Sequence, residues 1–390
     1  MSDSQTAKYD LCIIGTGLAG LAATMFAVNR GLSCVQVGQT GEINFSSGLL
    51  DLLGVHPVGE KNALSDPWAG IDVLVRDIPE HPYARLPKED IQAAFKELLS
   101  FLKETGLTYH RRMNHNSAVL TSLGTLKPTY GVPHTMWNGV AALKKNPAGL
   151  ILDIRGLKGF SARQIAAALQ NDWPDLLTGR ISFPGMDHLN EVYPEHMANA
   201  LILPENREKV AQALRPHLKD AQIIGLPAIL GIYRTHEVVS DLEKRIGLPL
   251  FEIPTIPPSV PGLRLKEAFE RGLRAKGVRY FSQNRVLSAR AGKDRYFELD
   301  IGRKTTEDSL KSRGIILASG RFIGGGLYAD RLRIKETVFD LPVHQPGNRA
   351  GWHHRDMLDP RGHPVNRAGL EIDDSFRPLN SSHRPAFRTL

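Results

Sequence analysis

Residues 9–38 read "YDLCIIGTGLAGLAATMFAVNRGLSCVQVG", and the fold of the 390-residue chain turns on them. Tyr9 to Ile14 is a short apolar run of strand length. "GTGLAG" follows, with glycines at 15, 17 and 20. Leu18 to Arg30 is rich in Ala, Leu and Met, which favour helix, and Gly31 is placed to stop it. "SCVQVG" is then a second strand, apolar enough to be buried on both faces. The unit is βαβ. In such a unit Gly15 makes the tight turn, Gly17 lets the backbone approach a pyrophosphate, and Gly20 lets helix pack on strand. The free N–H groups at the helix start, Leu18 among them, and the helix dipole would hold the phosphate. A G-x-G-x-x-G alone is weak, but here it follows a strand and opens a helix, the context that gives it meaning. A dinucleotide or flavin is the expected ligand.

One part of the pattern is missing. The acid that grips an adenosine ribose usually ends the second strand, and that position is Gly38. Glu42 substitutes only if the loop folds back. Phosphate recognition is therefore expected, while adenosine recognition is in doubt.

Outward from this unit comes "NFSSGLLDLLG", residues 44–54. A Ser/Gly loop in this place can lie along a flavin, with Ser46 and Ser47 offering hydroxyls and Gly48 permitting close backbone approach. Leu49 to Leu53 reads as the start of a helix, for which Ser46 or Ser47 would also serve as a plain N-cap. Much later the chain returns to the same pattern. A helix from about Arg264 to Ala275 leads into strands "GVRYF", "NRVLSARAG" and "RYFELDIG", and then into "SRGIILASGRFIGGGL". The buried strand Ile315 to Ala318 ends at Ser319-Gly320, a turn of the kind that sits beside a flavin. Residues 56–261 between these pieces mix helical runs ("KEDIQAAFKELLSFLKETG", "SARQIAAALQ", "NREKVAQALRPHL") with strands ("GLILDIRG", "AQIIGLPAIL"). The expected fold class is thus α/β, a Rossmann-like flavin-binding domain of the two-dinucleotide-binding-domain type, with an inserted α+β substrate domain. Residues 1–55 and 262–330 would form the first and 56–261 the second. The prolines of "EIPTIPPSVPGLRL" make a rigid return that holds Arg264 in place.

Composition excludes several classes. Hydrophobic residues are 42% and charged residues 23%, an ordinary globular balance. Net charge is +8, and residues 311–390 hold thirteen Lys/Arg against eight Asp/Glu. These are scattered, with no run of five and no interleaved aromatics, so a phosphorylated small molecule fits better than nucleic acid. Cys12 and Cys34 are the only cysteines and lie in apolar strands. They provide no iron–sulfur ligand set, no disulfide framework and no zinc site, so no metal is expected, and a reducing cytoplasm fits. Leu11 to Val28 carries no charge, but "MSDSQTAKYD" before it lacks a basic region and glycines dilute it. It reads as strand and helix rather than leader or membrane span.

The stretches "FSSGLLDLL", "SLGTLKPTY", "PTIPPSVPGLRL" and "LASGRFIGGGL", in that order after the glycine turn, resemble the B-subunit family of the anaerobic glycerol-3-phosphate dehydrogenase. The resemblance runs from about Lys8 to nearly the last residue. It implies a flavoprotein subunit, with FMN by resemblance and FAD as the alternative. It implies partners: a second flavoprotein subunit and an iron–sulfur subunit that docks on the membrane, which this chain would touch only indirectly. It implies oxidation of sn-glycerol 3-phosphate to dihydroxyacetone phosphate, with electrons passing to quinone, in the cytoplasm or at the inner face of its membrane. A non-catalytic electron-relay or assembly subunit, and an FAD-dependent oxidoreductase of another substrate, are the alternatives.

Arginine forks suit phosphate, and Arg264 and Arg321 are the first candidates to hold it. Arg155 and Lys158 come next. Fourteen histidines leave no ground for naming a base, although His353-His354 is the most conspicuous pair. Residues 331–369 are expected as a basic segment packing on the inserted domain. "EIDDSFRPLNSSHRPAFRTL" looks like the approach to a final strand and glycine turn, with "PAFRTL" its start, so 370–390 are expected to form a shortened strand region. That would leave an apolar face beside Leu11 to Val28 uncovered.

Overall fold

In the computed structural model, which describes residues 7–39, 41–292 and 294–387, the chain divides into two compact units. One comprises residues 1–43 and 269–390, the other 44–268. The second boundary falls inside the helix Val260–Ala275.

The first unit is built on the opening βαβ. Strand β1 is Ala7–Ile14, helix α1 Leu18–Asn29 and strand β2 Cys34–Gly38. Its sheet runs in the order Arg279–Ser282, β2, β1, Thr306–Leu317, Phe297–Gly302, Arg285–Ala291. The first four strands are parallel and the last two antiparallel. Cys12 sits between Val35 and Ile315, all nearly inaccessible to solvent. That centre explains why Leu11–Ile14 and, apart from Gln36, Cys34–Val37 are apolar. Every strand expected around the second motif is present, and the strand ending just before Ser319 is longer than foreseen.

The C-terminal part departs from expectation. Residues 331–369 cluster with this first unit and not with the inserted one. The physical reason is a small core of its own, Leu327, Ile334, Trp352, Val365 and Ala368, which joins the segment to the hairpin Leu327–Ala329/Ile334–Glu336. Nor is the sheet face carrying Cys12, Ile14, Val35 and Val37 uncovered, because Val338, Phe339 and Phe387 pack on it. Phe387 meets Phe297 and Phe339 at ring distances of 5.6 and 5.1 Å. Leu379 and Pro385 form an isolated bridge rather than a strand. The last three residues of "PAFRTL" lie outside the described residues.

The second unit holds a wholly parallel sheet in the order Leu250–Ile253, Ile223–Pro227, Gly149–Ile154, Leu176–Ile181. The α+β character expected of the insertion rests on the antiparallel pairs Tyr109–His110/Val132–Pro133 and Ser117–Leu120/Leu126–Thr129, which precede this sheet in the chain. The core is packed by Ile151, Trp173, Phe183, Ile224 and Phe251. The helix expected from Leu49 does not form. Leu50 instead exchanges two backbone hydrogen bonds with Gly131, of 3.0 and 2.8 Å. Of the leucines of "GLLDLL", Leu50 is buried and Leu49, Leu52 and Leu53 are half-buried.

Candidate flavin site

In the first unit the glycine turn has the form its sequence requires. Gly15 has φ +124°, and a Cβ there would lie 2.0 Å from the Ala318 carbonyl oxygen. A Cβ on Gly20 would lie 2.3 Å from the Gly15 oxygen. Both positions are closed by the fold itself. Gly17 differs, since nothing lies within 4 Å of its Cβ position. It is the N-cap of α1 and contributes no side-chain cap. The first N–H groups of the helix, beginning with the exposed Leu18, are therefore left to a ligand. The N–H of Ala318 donates to the Ile14 carbonyl (2.8 Å), so the Ser319-Gly320 turn stands at the end of the neighbouring parallel strand.

Two residues that the sequence did not single out shape this turn. Gln36, fully buried in β2, donates its amide to the Gly15 carbonyl at 2.8 Å. Thr16 lies over Gly38, so that a Cβ on Gly38 would be 2.7 Å from its methyl and 3.0 Å from its nitrogen. The Thr16 hydroxyl donates to the Gln39 carbonyl, which fixes it there. The place of the ribose-binding acid is thus filled by a neighbour. Glu42 does not fold back to it, and its carboxylate stands beside Gly320 and Gly324. Gly38→Asp is expected to lower stability by about 1–3 kcal/mol, the usual cost of overpacking. A denaturant melt checks this, and an unchanged midpoint would show that Thr16 gives way.

In the second unit, the loop 44–48 is pinned by the serine that precedes the helix Val260–Ala275. The Ser259 N–H donates to the Asn44 carbonyl (3.0 Å), and its hydroxyl donates to the Ser46 carbonyl. Gly48 has φ +75°, and a Cβ there would strike Pro261 at 2.6 Å. Its carbonyl accepts from the Tyr109 hydroxyl at 2.6 Å. Ser47 Oγ accepts weakly from the Leu49 N–H, at 3.5 Å. Ser46 Oγ and Asn44 Oδ1 are buried and have no partner among the described residues. Orphaned polar atoms of this kind are rare unless something else satisfies them. In the first unit, the open Gly17 and the uncapped start of α1 fit the phosphate of a flavin.

The arginines expected to grip phosphate are engaged elsewhere. Arg264 is 3% exposed. Its fork meets both oxygens of Glu252 at 2.5 and 2.8 Å, and its Nε donates to the Gly231 carbonyl at 2.6 Å. It is a core ion pair of the second unit. Arg321 donates to the carbonyls of Val365 and Asn366 at 2.8 and 3.0 Å, which ties down the C-terminal segment. Lys158 pairs with Glu191 at 2.7 Å, and Arg155 is exposed at the end of the strand Gly149–Ile154. Cys12 and Cys34 are buried free thiols, pushed by burial up to about 12 and about 11, which makes them inert. Among the described residues no cluster has the makings of a metal site, and no helix is long and apolar enough to cross a membrane.

His353 and His354 gather with His363 in the C-terminal segment. A tighter histidine group, which sequence reasoning missed, lies in the second unit. His110 Nε2 and His134 Nδ1 share a hydrogen bond of 2.8 Å. His236 stacks on His134 at 4.3 Å and bonds the Thr108 hydroxyl at 3.2 Å. Trp137 stacks on His110 at 5.2 Å. Burial brings the His134 imidazole down to about 4, and His236 and His110 add to the effect. His110 is lowered by burial and by His236. A lowered folded-state value favours the neutral ring, so this stability is whole above 6.5 and is lost as pH falls toward about 4. His134→Gln should therefore flatten the fall in melting temperature between about pH 7 and about pH 4.5. An equal slope in wild type and variant would contradict it.

A pyrophosphate-type turn on a parallel sheet, with a second glycine turn at the adjacent strand end, defines a flavoprotein of Rossmann type, and the FAD binding domain family matches residues 10–386. Curated relatives narrow the class. The B-subunit of anaerobic glycerol-3-phosphate dehydrogenase from Yersinia pestis bv. Antiqua is 31% identical over 383 residues, covering 95% of this chain and 88% of its own. The protein of the same name from Vibrio vulnificus is 28% identical over 384 residues, covering 95% and 86%. The chain belongs to this B-subunit family and is a flavin-dependent dehydrogenase subunit. Among solved structures, glycine oxidase from Geobacillus kaustophilus is 14% identical, with a TM-score of 0.29, over 81% of this chain and 56% of that one.

Proposed function

We propose that the chain takes part in oxidising sn-glycerol 3-phosphate to dihydroxyacetone phosphate, as the flavoprotein subunit of a complex. The observation that carries this is the match to the dehydrogenase relatives over 95% of the chain, joined to a turn left open at Gly17. Bound flavin supplies the two-electron acceptor. The backbone N–H groups of Gly17 and Leu18 hold its phosphate, Gly15 and Gly20 shape the turn, and Ser319 and Gly320 line the cofactor. FAD is the better reading, supported by the family match and by a turn suited to pyrophosphate. FMN is the second reading, favoured by Thr16 over Gly38, since FMN has no adenosine ribose to hold. Acid release of the cofactor and chromatography against both standards separates them.

Electrons must leave this chain, because its two buried, high-pKa thiols cannot carry a cluster. A second flavoprotein subunit and an iron–sulfur subunit docked on the inner face of the cytoplasmic membrane would take them toward quinone. The functional test is the formation of dihydroxyacetone phosphate by the assembled complex with a dye as acceptor. No product with a full flavin load would overturn the substrate assignment.

A further inference from the structure

We propose that His110, His134 and His236, in the second unit, form a binding site for a phosphate-type anion, which is taken up together with a proton from solvent. The site lies wholly within that unit and stands apart from the dehydrogenase reading above.

The three rings stand where two helices begin. His134 opens the helix His134–Lys145, and His236 is the second residue of Thr235–Ile246. Neither helix has a side-chain cap. The two helices flank one sheet. A Cβ on Gly139, in the first helix, would meet the Phe251 ring, and a Cβ on Gly225 would meet Phe251 and Ile151. Leu242 and Ile246, in the second helix, line an apolar cavity with Leu152 and Ile154. Neighbouring residues on a strand face opposite ways, so the helices lie on opposite faces. Their positive ends meet where His236 stacks on His134 at 4.3 Å. Each such end favours an anion.

Nothing in the group answers that field. The rings bond one another and the Thr108 hydroxyl, and among the described residues no carboxylate reaches them. The acids on the neighbouring elements are engaged. Glu237 meets Arg234 at 2.5 Å and Arg207 at 3.4 Å, Glu243 takes Asn138 and the Leu250 N–H, and Glu252 is paired with Arg264. Arg111, beside His110, is exposed and meets only the Tyr130 ring and its hydroxyl, so its charge has no counter-ion among the described residues. His236 is exposed and His110 and His134 are half-buried, which leaves the group open to a solute. Burial, His236 and His110 keep the His134 ring neutral. An anion against the rings would favour their charged form, and a protonated ring would bond it more strongly, as charge-assisted donors do.

The test is calorimetry on the flavin-loaded full chain, whose glycine turn is then filled, at fixed ionic strength in two buffers of different ionisation heat. Sulfate, whose charge is constant across the range, is the first probe. Its binding should strengthen as pH falls from about 8 to about 6, with uptake of about one proton. His236→Gln, a change at an exposed position, should weaken it by about 10–100-fold. Inorganic phosphate and sn-glycerol 3-phosphate are the further probes. Tighter binding of the ester assigns the site to a phosphate monoester, and tighter binding of the free ion assigns it to phosphate itself. Either result meets the proposal. A readout on wild type alone covers a variant that fails to fold, since sulfate should raise the pH at which the labelled histidine rings titrate. Sulfate that binds no better than chloride, equal affinity in His236→Gln, or unmoved ring titrations would overturn the proposal and leave the three rings as a neutral aromatic stack.

Discussion

Arg264→Met is expected to lower the unfolding free energy by about 3–5 kcal/mol, because it leaves the Glu252 carboxylate buried and unpaired. For a domain of this size that is a fall of about 6–20 °C in melting temperature. Glu252 is 1% exposed, and its hydrogen bonds come from Arg264 and from the Leu230 N–H, the latter at 2.6 Å. Pairing Arg264→Met with Glu252→Leu removes the stranded charge and should restore much of the loss, as apolar replacements of buried pairs do. Differential scanning fluorimetry decides the matter. A phosphate-binding arginine would behave otherwise, raising KM with little change in melting. That outcome would mean that the buried pair is not what holds Arg264.

Gly17→Val is expected to give a folded, colourless protein. The space at its Cβ position is empty of protein atoms, so the fold loses little. The ligand, however, needs that space for its phosphate. The variant should melt with wild-type apoprotein and below wild-type holoprotein, by the stabilisation a bound ligand confers. Gly15→Ala gives the contrast, since its Cβ would lie 2.0 Å from a backbone oxygen at a positive φ. It should impair folding with or without flavin. Absorbance at the flavin band, measured against protein concentration, checks both. A full flavin load on Gly17→Val would remove the turn from the site.

The glycine turn was legible because each glycine answers a constraint that acts over a few residues. The strand Ile315 to Ala318 and the hairpin before it were legible for the same reason. What escaped depended on contacts made far along the chain. Leu49 to Leu53 has helical composition, yet Leu50 finds its partner at Gly131. The strand Leu250–Ile253 carries Glu252, and a carboxylate in a buried strand reads as surface until Arg264 arrives to pair with it. Arg264 looked like a phosphate ligand because it follows a rigid proline segment, and the same rigidity instead places it in the core. Residues 331–369 were expected to pack on the inserted domain, but Trp352 and Val365 join Leu327 and Ile334 in a core of the first unit. His110, His134 and His236 are spread over more than a hundred residues with no shared motif. Only the pairing of Tyr109–His110 with Val132–Pro133 brings the first two together.

This chain is a flavin-dependent dehydrogenase subunit, and its proposed substrate is glycerol phosphate. The most direct measurement is the anaerobic visible spectrum of the purified, flavin-loaded chain during titration with sn-glycerol 3-phosphate, alone and with its partner subunits. The flavin band should bleach and return on admission of an electron acceptor. Bleaching that requires the partners would assign the chain the role of relay within the same complex. A flavin band that stays unbleached under both conditions, while dithionite still reduces it, would contradict the account.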